Sequence, residues 1–94
     1  MEPTTWIEVD RAALGRNFDA VAAHAGVPVC AVIKADAYGH GLVEAARTFA
    51  AAGARMLGVT RLEEARAVRD GGIDASVLVM MPVHDLPEAV QLRC

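Results

Sequence analysis

Few features that mark specialised proteins are present in this sequence. Its two cysteines, Cys30 inside an apolar run and Cys94 at the final position, rule out a disulfide framework and fit a reducing, cytoplasmic compartment. Basic residues are in deficit: 9 Lys and Arg against 12 Asp and Glu give a net charge of -3. The positive surface that a phosphate backbone requires is missing, which excludes nucleic acid as a partner. No run approaches the ~18 apolar residues of a membrane span. The opening Met1–Asp10 carries acids where a secretory leader carries positive charge, so the chain reads as soluble and unprocessed. Three histidines, His24, His40 and His84, are too scattered for a metal site. Lysine is almost absent, since Lys34 is the only one.

Apolar side chain, in contrast, is plentiful. Hydrophobic residues make up 54% of the 94 and charged residues 22%, which excludes intrinsic disorder and allows one small domain or a piece of a larger one. The pattern predicts helix, strand, helix, strand, helix, strand, helix. Asp10 is the expected N-cap of the first helix, which carries Leu14, Phe18, Val21, Ala22 and Ala25 on one stripe and stops at Gly26. Val29–Ile33, Met56–Val59 and Val77–Met81 are apolar at successive positions, the mark of parallel strands covered on both faces. Leu42, Ala45, Ala46, Phe49 and Ala50 recur at helical spacing up to Gly53. Thr60-Arg61-Leu62-Glu63 has the form of a capping box opening a helix that runs to Gly71-Gly72, and Asp85-Leu86-Pro87-Glu88 starts one more. Strands that alternate with helices define an α/β class built of parallel βα units. Three such strands leave edges and a surface uncovered.

Chemistry concentrates in Lys34–Gly41, where a lysine closes a buried strand and a Gly-flanked polar loop follows. The carboxyl end of a strand is where α/β folds build sites. A lysine partly desolvated there can offer a neutral amine for a Schiff base, although a strand-end ammonium in water fits the spacing as well. Tyr38, four residues on, can meet an anion at the start of the next helix, or simply pack its ring under the loop. His40 reads as a loop histidine, and Cys30 as a small core residue. Lys34 lacks the preceding glycines of a P-loop, and Gly39-His40-Gly41 is too short for a dinucleotide fingerprint. Glu63 and Glu64 diverge on their helix and suit a cap and a solvated side chain.

The string Ala31-Val32-Ile33-Lys34-Ala35-Asp36-Ala37-Tyr38-Gly39-His40-Gly41 resembles the pyridoxal-phosphate signature of the alanine racemase family. Trp6-Ile7-Glu8-Val9-Asp10 with Leu14, Asn17 and Phe18 is similar to that family's N-terminal segment, and Gly58-Val59 with Leu62-Glu63-Glu64-Ala65 and Val68-Arg69 before Gly72-Ile73 to its second βα unit. The resemblance implies that residues 1–94 are an N-terminal fragment of a (β/α)8 TIM-type barrel, incomplete in this chain. It implies a cytoplasmic homodimer that interconverts L- and D-alanine and supplies D-alanine for peptidoglycan. Carried over by position, Lys34 would hold pyridoxal 5'-phosphate and act as the base on one face of the substrate Cα. Tyr38 would hydrogen-bond the cofactor phosphate. The family's opposite-face tyrosine, its substrate and cofactor arginines and its C-terminal domain have no counterpart here, and a barrel takes about 200–250 residues. The isolated 94 residues are therefore expected to racemise nothing. A non-racemising pyridoxal-phosphate carrier barrel and a non-catalytic remnant are the alternatives, and the full Lys-Ala-Asp-Ala-Tyr-Gly-His-Gly run favours the racemase. Alanine and serine are not separable as substrates on these residues.

Overall fold

A computed structural model describes residues 7–94; Trp6 and the rest of the first six residues lie outside them. Helix α1 (Arg11–Ala25) begins where the sequence predicts, because the Asp10 carboxylate accepts the Ala13 amide at 3.0 Å. It ends at Gly26, whose φ of 68° lets its amide bond back to the Ala22 carbonyl. Of the expected stripe, Phe18 is buried and Ala22 partly so, whereas Val21 and Ala25 are exposed. The rings of Phe18 and Phe49 sit 5.9 Å apart, tilted by 40°, and seat α1 on α3 (Leu42–Ala52).

Strands β1 (Cys30–Val32), β2 (Met56–Val59) and β3 (Ser76–Val79) form one parallel sheet in that order. β1 and β3 are shorter than the apolar runs predict. Single ladder bonds nevertheless extend past them, from Ile33 N–H to the Gly58 carbonyl and from Met80 N–H to the Val59 carbonyl, both at 2.8 Å. α4 (Leu62–Asp70) and α5 (Leu86–Gln91) complete the right-handed helices. A further one-turn element, α2 (Lys34–Tyr38), is built differently and belongs to the site.

The register explains which side of the sheet is core. Parallel partners share a face, so Ala31, Leu57 and Val77 form one row, and Ile33 and Val59 lengthen that face. All five are buried, together with Ala45 and Ala46 of α3 and Ala65 and Val68 of α4. The opposite rows, Cys30 with Met56 and Ser76, and Val32 with Gly58 and Leu78, face outward. Val32 is 39% and Leu78 45% exposed, so the described helices cover one face of the sheet and not both. Cys30 lies on that open face and is an exposed free thiol, not the core residue expected; Cys94 is free and exposed as well. A side chain at Gly58 would stand 3.4 Å from both Cys30 Sγ and a Val32 methyl.

The Gly71-Gly72 stop divides into two jobs. Gly72 provides the positive φ, 79°, while Gly71 has an ordinary φ of -74° and is needed for space: a Cβ there would lie 2.6 Å from Val43 Cγ1 of α3. Arg69, at the end of α4, then ties down the end of the chain. Its guanidinium donates to the carbonyls of Leu92 at 2.8 Å, Ile73 at 3.0 Å, Ala75 at 2.7 Å and Arg93 at 3.2 Å. A cation among carbonyls at the C-terminal end of α5 also interacts favourably with the negative end of that helix's dipole.

Candidate active site

Lys34 follows directly on β1. Ile33, with ψ of 16°, has already left the extended range, so the ladder stops and the chain turns. The direction of that turn is unusual. Ala35 (φ 52°, ψ 49°), Asp36 (55°, 38°) and Ala37 (54°, 42°), followed by Tyr38 (φ 56°), are all left-handed, so α2 is one turn of left-handed helix made without glycine. Where the sequence predicts an open loop, the chain is tightly wound.

Each L-residue held this way costs about 1–2 kcal/mol, so four cost roughly 4–8 kcal/mol. That rivals the entire ~5–15 kcal/mol by which domains are stable, and no single contact offsets it. Several act together. Ala37 N–H donates to the Ile33 carbonyl at 2.9 Å, and Gly39 and Gly41 both donate to the Asp36 carbonyl, at 3.1 and 3.0 Å. His40 donates to the Ala37 carbonyl twice, from its amide at 3.1 Å and from Nδ1 at 2.9 Å. Its ring is thus fastened to the turn, as a loop histidine. The Asp36 carboxylate accepts the Leu42 amide at 2.7 Å, which places an acid at the start of α3. One amide at the start of the helix beside Tyr38 thus already has an anionic partner, supplied by the turn itself.

The remaining restraint comes from another unit. Glu64, in the first turn of α4, is the only charged residue buried among those described, at 8% exposure. Its Oε1 accepts the Thr60 hydroxyl at 2.8 Å, the Thr60 amide at 2.9 Å and the Arg61 amide at 3.1 Å. Its Oε2 reaches across to the Ala35 amide at 3.1 Å. Burial pushes this carboxyl up, but the Thr60 hydroxyl and the three amides outweigh it and hold the group below its ordinary value. The helix start is therefore shifted from the one predicted. Arg61 is the N-cap, and the carboxylate that reaches back is Glu64, while Glu63 is exposed and paired with Arg61 at 2.7 Å. The signal was present in the spacing: Glu64 stands four residues before buried Val68 and beside buried Ala65, on the inward face.

The two predicted site residues open and close this same turn. Lys34 is half-buried and Tyr38 is 63% exposed, its ring edging a small depression that Leu14, Val32, Ala45 and Phe49 help to line. Among the described residues neither the Lys34 amine nor the Tyr38 hydroxyl has a hydrogen-bond or ion-pair partner. No group of three or more His, Cys, Asp or Glu side chains among them gathers as a metal site. An unpartnered primary amine and a phenol at the two ends of one rigid turn suit a ligand carrying a carbonyl and an anionic group.

Parallel βα units with a turn opened by a lysine at the carboxyl end of the first strand define an α/β domain, with the candidate residues at the strand end where barrels build their sites. The comparisons make this particular. Residues 9–94 match the family described as alanine racemase, N-terminal domain, and the chain belongs to that family. It is 49% identical over 85 residues to an alanine racemase of Mycolicibacterium smegmatis, covering 87% of this chain and 22% of the relative. To that of Nostoc it is 40% identical over 88 residues, covering 92% and 22%. Among solved structures, alanine racemase from Bacillus anthracis with bound L-Ala-P superposes with a TM-score of 0.91 at 35% identity, over 99% of this chain and 25% of that one. The enzyme from Streptomyces lavendulae gives 0.88 at 35%, over 98% and 25%. The three strands are thus the opening βα units of a TIM-type barrel, and the chain spans about a quarter of the length of the relatives it matches.

Proposed function

We propose that residues 1–94 are an N-terminal fragment of an alanine racemase-like barrel and that Lys34 and Tyr38 are the part of its pyridoxal 5'-phosphate site carried by this chain. The observation that carries this reading is the pair of unpartnered groups, amine and phenol, fixed at the two ends of the left-handed turn. Lys34 Nζ would hold the cofactor by bonding to its aldehyde carbon with loss of water, and the Tyr38 hydroxyl would donate a hydrogen bond to its phosphate. When bound, the cofactor supplies an electron sink for the negative charge that develops at the substrate Cα. The Lys34 amine, released when the substrate's own amine replaces it, would take and return a proton at that carbon from one face. The turn prevents both groups from drifting, which is the protein's contribution by orientation.

In the whole protein this reading gives interconversion of L- and D-alanine, a supply of D-alanine for peptidoglycan, a homodimeric assembly and a cytoplasmic site of action. No described helix is long and apolar enough to cross a membrane. The relatives reported above are named alanine racemases, which favours this over a cofactor carrier sharing the same lysine. Racemisation requires a proton donor and acceptor on both faces of Cα, and only one candidate is present here. The purified 94-residue chain is expected to give no L-to-D turnover.

The test uses the scarcity of lysine. The chain is incubated with pyridoxal phosphate, reduced with borohydride, digested and weighed. The expected result is the cofactor mass on the peptide carrying Lys34, the sole lysine. Label confined to the α-amine, or shared equally with it, overturns the reading.

A further inference from the structure

The site has a restraint that its own strand does not supply. Three of the four donors to Glu64 are local, from Thr60 and Arg61, and cap α4 through Oε1. The fourth, the Ala35 amide, comes from 29 residues earlier and occupies Oε2 alone. Ala35 is both the first left-handed residue and the neighbour of Lys34. A helix cap needs only the first three contacts; burying a carboxylate to reach the fourth joins the β2–α4 unit to the lysine-bearing turn.

We propose that Glu64 is a positioning residue: by accepting the Ala35 amide, its carboxylate holds the left-handed turn closed and thereby fixes Lys34 relative to Tyr38. The proposal rests on the pyridoxal-phosphate reading only for what Lys34 binds. The geometry assigns separate duties to the two oxygens. In Glu64→Gln the amide oxygen is retained by the three local donors, leaving its NH2 against Ala35 N–H, donor to donor. That substitution therefore breaks the contact between units and spares the cap. Thr60→Val does the reverse, removing one donor to Oε1 while leaving the Ala35 contact in place.

The test compares the full chain with both variants by two readouts. The first is amide hydrogen exchange over residues 35–38 without cofactor, and the second is the initial rate of reductive labelling of Lys34 by pyridoxal phosphate. Loss of a hydrogen bond to a charged acceptor predicts roughly tenfold or greater loss of protection in Glu64→Gln. A matching fall in initial labelling rate at Lys34 is expected, with Thr60→Val within twofold of the parent in both. A third variant, Glu64→Gln with Ala35→Gly, relieves the backbone cost at the residue Glu64 restrains. It is expected to recover most of the loss, which a defect of the α4 cap would not do, and it serves the test should Glu64→Gln not fold. Unchanged exchange in Glu64→Gln, or equal losses in Thr60→Val, overturns the proposal. If Lys34 of the parent chain takes no label, the cofactor reading fails, and exchange alone decides the role of Glu64.

Discussion

Replacing alanine by glycine inside a wound segment normally costs stability, and Ala35 is where the sign reverses. Ala35 is exposed, so removing its methyl sacrifices no packing, and its amide remains available to Glu64. Glycine escapes the ~1–2 kcal/mol penalty of a left-handed L-residue, while its freer unfolded chain returns about 0.5–1 kcal/mol of that gain. The net expectation is a stabilisation of roughly 0.5–1 kcal/mol for Ala35→Gly. At this chain length ~1 kcal/mol corresponds to about 4–8 °C in Tm, or roughly 0.5–1 M in the urea midpoint. Ala20, exposed in the right-handed α1, is the matched control, and Ala20→Gly should lose about 1 kcal/mol. Urea unfolding of the three proteins, followed by far-ultraviolet circular dichroism, reads the two shifts. Opposite signs are expected; a loss at both positions would show that α2 is not left-handed in solution and would remove the basis of the strain argument.

Three further outcomes follow from the contacts. Because the Glu64 carboxyl lies below its unfolded value, its contribution is complete above an unfolded pKa of ~4.3 and is lost as pH falls through the lower, folded one. The gap in urea midpoint between the parent chain and Glu64→Gln should therefore close on acidification below about pH 4.3, and a gap independent of pH refutes the assignment. Arg69→Met keeps the side-chain stem but deletes four donors to carbonyls, for an expected loss of about 2–3 kcal/mol and faster proteolysis beyond α4; an unaltered midpoint with an intact C-terminal segment contradicts it. Gly71→Ala pushes a methyl against Val43, at an expected cost of about 1–3 kcal/mol; Val43→Ala should recover part of it in a double-mutant cycle, and strict additivity would argue against the clash.

Local rules carried the sequence reading well where the contacts are local. Asp10, Gly26, Gly53 and Asp85 punctuate the helices as their chemistry predicts, and Met56–Val59 is a strand at both predicted ends. The α/β class and the opening barrel units are borne out by the parallel sheet and by the structural neighbours. What escaped was set by distant partners. Cys30 and Val32 are apolar like Ala31, and nothing within β1 says which face is left open. Four consecutive left-handed residues contain no glycine to announce them, because the backbone is held by bonds from Ile33, His40 and Glu64 instead of by permissive side chains. Lys34 and Tyr38 stood out as types at a spacing, whereas Glu64 was passed over as one of two adjacent acids. The spacing places it on the inward face of α4, but its link to the site appears when the turn 29 residues earlier is laid beside it.

That separation has a consequence for the order of assembly. The Ala35–Glu64 bond is non-local, so its loop-closure entropy must be met before the left-handed turn gains its last restraint. A chain emerging residue by residue presents Lys34 long before Glu64, and through that interval the first βα unit has strand, lysine and tyrosine but no clamp. Construction of the site is thus deferred until β2 has paired with β1 and α4 has docked, which makes its completion a report on the folding of its neighbour. In a pulse-labelled refolding experiment the Ala35 amide should gain protection no earlier than those of Leu57 and Val59.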